Sequence, residues 1–140
     1  MHSNEVQFRI KKLKRKVISI VEQKSMTSIM NSTKWFELQS SVMKLPFLPP
    51  YEIKYVSDIY EPEQFDKDVC YTGNWDDELL LPFFNIEWVK VRPRYIKNRG
   101  LLVDGEIVDE TERFIDILEK YCISYEEENG AVIIYGYRKL

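Results

Sequence analysis

The first regular pattern along the chain is helical and lies in residues 5–23. Apolar side chains recur there at steps of three and four residues, which is the spacing of one helix face: Val6, Ile10, Leu13, Val17, Ile20 and Val21. The remaining positions hold a run of cations from Arg9 to Lys16. The pattern predicts a basic amphipathic helix in residues 1–24. Its cationic side is either simply solvated or suited to a phosphate backbone or an anionic membrane surface.

A second helical pattern follows in residues 26–46. The apolar side chains that keep the helical spacing are Trp35, Leu38, Val42 and Leu45. Either Asn31 or Ser32 can cap the first turn, and Pro46 ends the helix. The next residues, FLPPY, predict an extended connector because each proline fixes its own backbone torsion and disfavours a helical residue before it.

Alternating patterns then predict strands. In residues 51–55 Tyr51, Ile53 and Tyr55 alternate with Glu52 and Lys54, which is typical of a half-buried strand. Residues 68–75 and 79–91 have strand character on either side of the turn sequence NWDDE. They therefore predict an antiparallel pair with a short connection.

The alternation changes phase inside the sequence FFNIEWVKVRPRYIKNRG, residues 83–100. Ile86 and Trp88 share one face of a regular strand, whereas Val89 and Val91 share the other. A β-bulge near Trp88 and Val89 would return the apolar residues to one face. The alternative is a central strand that is covered on both faces.

The last third of the chain predicts two hairpins around one helix. Residues 101–109 can turn at Asp104-Gly105, and residues 123–139 can turn at Asn129-Gly130. Between them, residues 111–122 keep helical spacing, with Asp109 or Thr111 as a cap. The order is thus two helices, three strands, a hairpin, a helix and two strands. It predicts an α+β fold, a mostly antiparallel sheet backed by helices, as a single domain in residues 25–140.

Few residues in the chain are suited to catalysis or metal binding. The only histidine is His2, and no phosphate-binding glycine loop, nucleophile elbow or Cys/His cluster is present in the sequence. Cys70 and Cys122 lack C-x-x-C spacing, so we expect reduced thiols. No apolar run reaches the roughly 20 residues that cross a bilayer, and we expect a cytoplasmic protein. The sequence predicts a non-enzymatic protein that uses no metal or cofactor.

Charge is distributed unevenly along the chain. Residues 1–50 hold nine Lys/Arg and three Asp/Glu, whereas residues 51–140 hold eleven and twenty. Residues 104–128 alone hold ten carboxylates and two cations, and such a field attracts a basic partner. The predicted partner-binding residues combine an aromatic anchor with acids: Trp75, Asp76, Asp77, Glu78, Asp104, Glu106, Asp109 and Glu112. The alternatives are a core tryptophan and solvated acids.

A second hypothesis uses the cations of the sequence. A nucleic-acid surface would combine the basic first helix with a later cluster that surrounds Tyr95: Lys90, Arg92, Arg94, Lys97 and Arg99. Acidic residues follow this cluster directly in the sequence. We therefore expect its cations to pair with carboxylates of their own chain.

Three stretches of the sequence, NSTKWFELQSSV, FFNIEWVKVRPR and EENGAVIIYGY, resemble a family of small, largely uncharacterised bacterial proteins. Some relatives in that family lie beside secreted polymorphic toxins and act as antitoxin or immunity proteins. The resemblance covers roughly residues 25–140 and leaves the basic helix outside it. It implies a protein that neutralises a toxin by binding it, and nuclease toxins tend to be basic.

Overall fold

The computed structural model describes residues 2–59, 61, 62, 69, 71–97, 100 and 103–139. The helices are α1 (His2–Gln23), α2 (Ser32–Val42), α3 (Asp77–Leu80) and α4 (Thr111–Lys120), with a 3-10 helix at Phe83–Asn85. The strands are β1 (Thr27–Ser28), β2 (Tyr51–Tyr55), β3 (Ile86–Val91), β4 (Arg94–Lys97), β5 (Glu106–Asp109), β6 (Glu126–Glu128), β7 (Ala131–Tyr135) and β8 (Tyr137–Arg138).

The central sheet has the strand order β2-β3-β7-β6, and every pair in it is antiparallel. Two small antiparallel pairs, β1 with β8 and β4 with β5, flank it. The residues at the outer strand β6 are Glu126, Glu127 and Glu128, and all three are exposed. This architecture confirms the predicted α+β fold with antiparallel strands.

One face of the central sheet packs against α2 and α4. Register places Val89 and Val91 of β3 beside Val132 and Ile134 of β7, and all four side chains are buried. The helices complete this core with Trp35, Leu38 and Val42 from α2 and Phe114 and Leu118 from α4. The predicted apolar stripe of α2 is therefore the one that the fold buries.

Strand β3 contains the irregularity expected from the change of phase. Lys54 pairs with Trp88 whereas Tyr55 pairs with Ile86, so Glu87 is an additional residue in β3. This bulge puts Ile86, Val89 and Val91 on the buried face together. The predicted bulge is confirmed, one residue before Trp88.

Strand β2 differs from its predicted pattern. The alternating residues Glu52 and Lys54 are only 6% and 5% exposed, so the face opposite the helices is also covered at this strand. The ammonium group of Lys54 donates to the carbonyl oxygens of Tyr55 and Asp58, each at 2.8 Å, and lies 3.3 Å from a carboxylate oxygen of Glu87. The expectation of a half-buried strand is wrong because these acceptors satisfy the lysine inside the structure.

One predicted strand pairing is also wrong. Residues 71–75 form no strand, since Gly73 N–H donates to the Leu48 carbonyl at 2.9 Å and ties this segment to the connector. The antiparallel neighbours of β3 are β2 and β7. Strand β5 pairs with β4. The hairpin predicted in residues 101–109 includes Leu101 and Leu102, which lie outside the described residues.

Local turn and cap signals agree with the structure. The Asn31 side chain accepts a hydrogen bond from Lys34 N–H at 2.8 Å and caps α2. Asn129 and Gly130 join β6 to β7 with φ angles of 50° and 80°, the positive values that a tight hairpin turn requires. Both features depend on residues close in sequence, which is why the sequence predicts them.

Candidate protein-binding surface

Trp75 is a core residue. Its side chain is 1% exposed, its indole N–H donates to the Pro49 carbonyl at 2.8 Å, and its ring centroid lies 4.8 Å from Tyr51 and 6.4 Å from Phe114. A side chain with these interior contacts is not accessible to a partner. The prediction that Trp75 is a surface anchor is therefore wrong. Trp75 is part of the hydrophobic core.

The acids that follow Trp75 are at the surface. Asp76 and Asp77 are both exposed, and an oxygen of the Asp77 carboxylate accepts from the Gln39 side-chain amide at 3.0 Å. The same amide nitrogen donates to the Trp75 carbonyl at 2.9 Å. Gln39 thus fixes the start of α3 against α2. The side chain of Glu78 lies outside the described residues.

The second group of predicted acids lies on β5 and at the start of α4. Asp104, Glu106, Asp109 and Glu112 are all exposed. Near the start of α4 and β6 lies a cavity of about 250 Å³, and its lining includes Arg94, Thr111, Glu127 and Glu128. We call the exposed carboxylates from Asp104 to Glu112, together with the two glutamates that line the cavity, the acidic surface: Asp104, Glu106, Asp109, Glu112, Glu127 and Glu128.

Two hydrogen bonds hold the carboxylate of Asp109 in place. It accepts from the Thr111 hydroxyl at 2.6 Å and from Thr111 N–H at 2.9 Å. These bonds, with a smaller contribution from the charge of Arg94, hold the pKa of Asp109 below its ordinary value. The N-cap residue of α4 is Glu110, whose side chain makes no cap hydrogen bond, so neither predicted residue, Asp109 or Thr111, holds that position. Asp109 lies one residue earlier and accepts from the first N–H group of the helix.

The cations of the alternative site are distributed among several structural contacts. Lys90 lies 5.8 Å from the centre of the Trp88 ring, and Arg92 is 7% exposed and donates to the Asn129 carbonyl at 3.2 Å. Register places Arg94 opposite Asp109 and Lys97 opposite Glu106. The last two cations therefore face carboxylates of their own chain, as the sequence predicts. Arg99 lies outside the described residues.

Sequence reasoning missed an exposed apolar group beside Asp77. Phe36 and Met43 on α2 are 62% and 50% exposed, and Leu81 is 45% exposed. We call these three residues the apolar patch. Phe36 and Met43 lie just outside the buried stripe of α2, at positions that the helical period alone does not separate from the core. No sequence signal identifies these residues as a group, because the position of segment 77–83 relative to α2 depends on tertiary packing.

The described residues contain neither a cluster of metal ligands nor a helix suited to cross a membrane. Within these ranges, no group of three or more His, Cys, Asp or Glu side chains is placed to hold a metal ion. The helices in the same ranges do not combine the length and apolar content that a bilayer span requires.

Comparison with known proteins gives one match, and it covers most of the chain. No curated protein and no solved structure matches. The family profile that does match covers residues 17–140, so it begins earlier than the resemblance read from the three stretches and includes the last turns of α1. Over those residues the chain belongs to a family of unknown function, DUF6678.

Proposed function

We propose that the protein is a non-enzymatic binding module that holds a basic protein partner against the acidic surface. In its specific form, the proposal is an immunity or antitoxin protein that neutralises a basic toxin by direct binding, as the resemblance of the three stretches implies. The observation that carries the proposal is the set of six exposed carboxylates of the acidic surface, two of which, Glu127 and Glu128, line a cavity beside the start of α4.

The arrangement suits a partner with long cationic side chains. Glu127 and Glu128 line a cavity of about 250 Å³, which has room for a Lys or Arg side chain between them and the start of α4. Arg94 also lines the cavity, but register places it opposite Asp109, where a carboxylate offsets its charge. An excess of carboxylates remains for a partner, and complementary charge of this kind accelerates encounter.

The structure of the surface favours a protein over a nucleic acid. Phosphate groups would be repelled by the acidic surface, and Arg92, Arg94 and Lys97 are buried or opposite carboxylates. The elements that carry the acids are held by the β4–β5 pairing and by packing of Phe114 and Leu118 in the core. A surface held in this way is formed before the partner arrives, which lowers the cost of binding.

The test starts with recovery of a protein partner from the source cell by affinity capture, followed by association kinetics at low and high salt. The surface variant carries Glu106→Gln, Glu112→Gln, Glu127→Gln and Glu128→Gln. The control variant removes the same charge elsewhere, through Glu5→Gln, Glu22→Gln, Glu37→Gln and Glu61→Gln. We expect the surface variant to associate about 10-fold more slowly or worse at low salt, and much closer to wild type at high salt.

Two outcomes would overturn the proposal. Equal slowing of both variants would show that net charge matters and the acidic surface does not. Capture of RNA or DNA with a steep salt dependence, without a protein partner, would favour the nucleic-acid hypothesis.

A further inference from the structure

The first half of α1 presents apolar side chains to solvent. Residues 4–12 are all exposed, and Val6 and Ile10 are 52% and 42% exposed. The same helix face continues through Leu13 to Val17, which is only 1% exposed. One stripe thus begins in solvent and ends buried in the domain. The solvent-exposed part precedes residue 17, where the family match begins.

Cations border this stripe on both sides. The helical period places Arg9 along one edge of the stripe and Lys14 along the other, and further cations cover the rest of the helix. The Lys14 ammonium group lies 5.9 Å from the centre of the Phe84 ring in its own chain, so Arg9 is the border cation of the exposed half. Residues 4–12 with their flanking lysines therefore form a basic amphipathic helix whose apolar face has no cover in its own chain among the described residues. A matching surface must be apolar at its centre and acidic at its rim.

The apolar patch has this composition. The Gln39–Asp77 hydrogen bond and the Trp35–Phe83 ring contact, with centroids 6.4 Å apart, fix segment 77–83 alongside α2. Leu81 lies between these two contact points. Phe36 and Met43 lie three residues before and four residues after Gln39, so they are its neighbours on the helix surface. Phe36 and Met43 therefore flank the point where α2 is joined to segment 77–83, and that segment carries the exposed Leu81 and follows the exposed Asp76.

We propose that the exposed half of α1 in one copy of the chain docks on the apolar patch of a second copy. Val6 and Ile10 would cover Phe36, Met43 and Leu81, while Arg9 approaches Asp76 and Asp77. Both surfaces belong to the same chain and differ from each other, so the contact is head-to-tail. This contact is independent of the acidic surface and of the function proposed for it.

A second copy of the chain fits both surfaces better than a nucleic acid or a lipid surface does. A nucleic acid would neutralise the cations of α1 but leave Val6 and Ile10 in water, and Asp76 and Asp77 would repel it. A lipid surface would cover α1 but leave the apolar patch exposed. The contact area is small, since it involves about two helix turns, so the association is weak and depends on concentration.

The experiment is sedimentation velocity over a concentration series of the full chain. The helix variant carries Val6→Gln and Ile10→Gln, and the patch variant carries Phe36→Gln and Met43→Gln. The control variant carries Phe8→Gln and Ile18→Gln. Phe8 and Ile18 are 67% and 48% exposed on α1 but lie off the stripe. We expect the average mass of wild type and control to rise with concentration, and the helix and patch variants to remain monomeric.

Mixing supplies the decisive measurement. An equal mixture of helix variant and patch variant should form a 1:1 complex, because the first retains the patch and the second retains the helix. A monomeric wild type, loss of association in the control, or failure of the mixture to associate would each overturn the proposal. Binding of wild type to anionic phospholipid vesicles with loss in the helix variant, and without self-association, would instead assign α1 to a lipid surface.

Discussion

The segment around Trp75 and the hairpin formed by β4 and β5 have similar sequences in one respect: each places an apolar residue beside several acids. Their structures differ. Trp75 is 1% exposed and contacts Pro49, Tyr51 and Phe114, whereas Ile107 at the centre of β5 is 56% exposed. The first segment belongs to the core of the domain, and the second displays its side chains.

The comparison of the two segments shows that residue type alone does not distinguish a binding anchor from a core residue. Trp75 is held by interior contacts with residues 24 to 39 positions away in sequence, and no local pattern reports them. The acids beside it are at the surface only because the backbone turns outward after it. Substitutions should therefore act on stability in the first segment and on binding in the second.

The largest expected effect is the loss of the Trp75 side chain. Trp75→Ala removes a fully buried ring and leaves a cavity, so we expect the free energy of unfolding to fall by about 3–5 kcal/mol. Urea denaturation measures this change. Ile107→Ala in the hairpin is the matched control, with an expected change within about 0.5 kcal/mol. Similar losses in the two variants would break the comparison.

A smaller loss of stability is expected when a methyl group is added to a glycine, and it should differ between the two regions. A side-chain carbon at Gly73 would collide with the Pro49 carbonyl, while one at Gly105 would meet the Cγ2 methyl group of the Ile96 side chain. Gly73→Ala should therefore cost about 1–3 kcal/mol, because backbone must shift to admit the methyl group. Gly105→Ala should cost clearly less, since Ile96 can rotate. Thermal unfolding of both variants tests this, and the reverse order would contradict it.

The smallest effect concerns pH and Asp109. Its folded pKa lies below the ordinary value, which is about 3.9 for the unfolded chain. Ionisation therefore stabilises the folded state above the unfolded pKa, and this contribution is lost as pH falls through the folded pKa. We expect the stability difference between wild type and Asp109→Asn to be constant above about pH 5 and to shrink towards about pH 2.

Thr111→Val provides the check on the cause. It removes the hydroxyl donor to Asp109 and leaves the Thr111 N–H donor in place, so it should reduce the pH dependence in part. Chemical denaturation across this pH range measures both variants. An unchanged pH dependence in Asp109→Asn would show that another carboxylate is responsible.

The features that the sequence predicts are those with local causes. The Asn31 cap, the Asn129-Gly130 turn and the bulge at Glu87 each follow from residues within one element. The apolar stripe of α2 also follows, because burial of Trp35, Leu38 and Val42 obeys one period.

The features that the sequence does not predict depend on distant partners. Glu52 and Lys54 look like solvent-facing positions, yet the fold covers them and supplies acceptors for Lys54 from residues 55, 58 and 87. The strand partners of β3 also differ from the predicted one, since β3 pairs with β2 and β7 across long stretches of chain.

The three glutamates of β6 also limit how the protein can aggregate. An outer strand offers unpaired backbone groups on which a strand from another molecule can template, and continued addition builds fibrils. At neutral pH an identical strand added to β6 would bring its glutamates against these, and although Arg138 lies 2.7 Å from Glu126, the charges of Glu127 and Glu128 oppose the addition. A concentrated solution of this protein should therefore resist fibril growth from this strand.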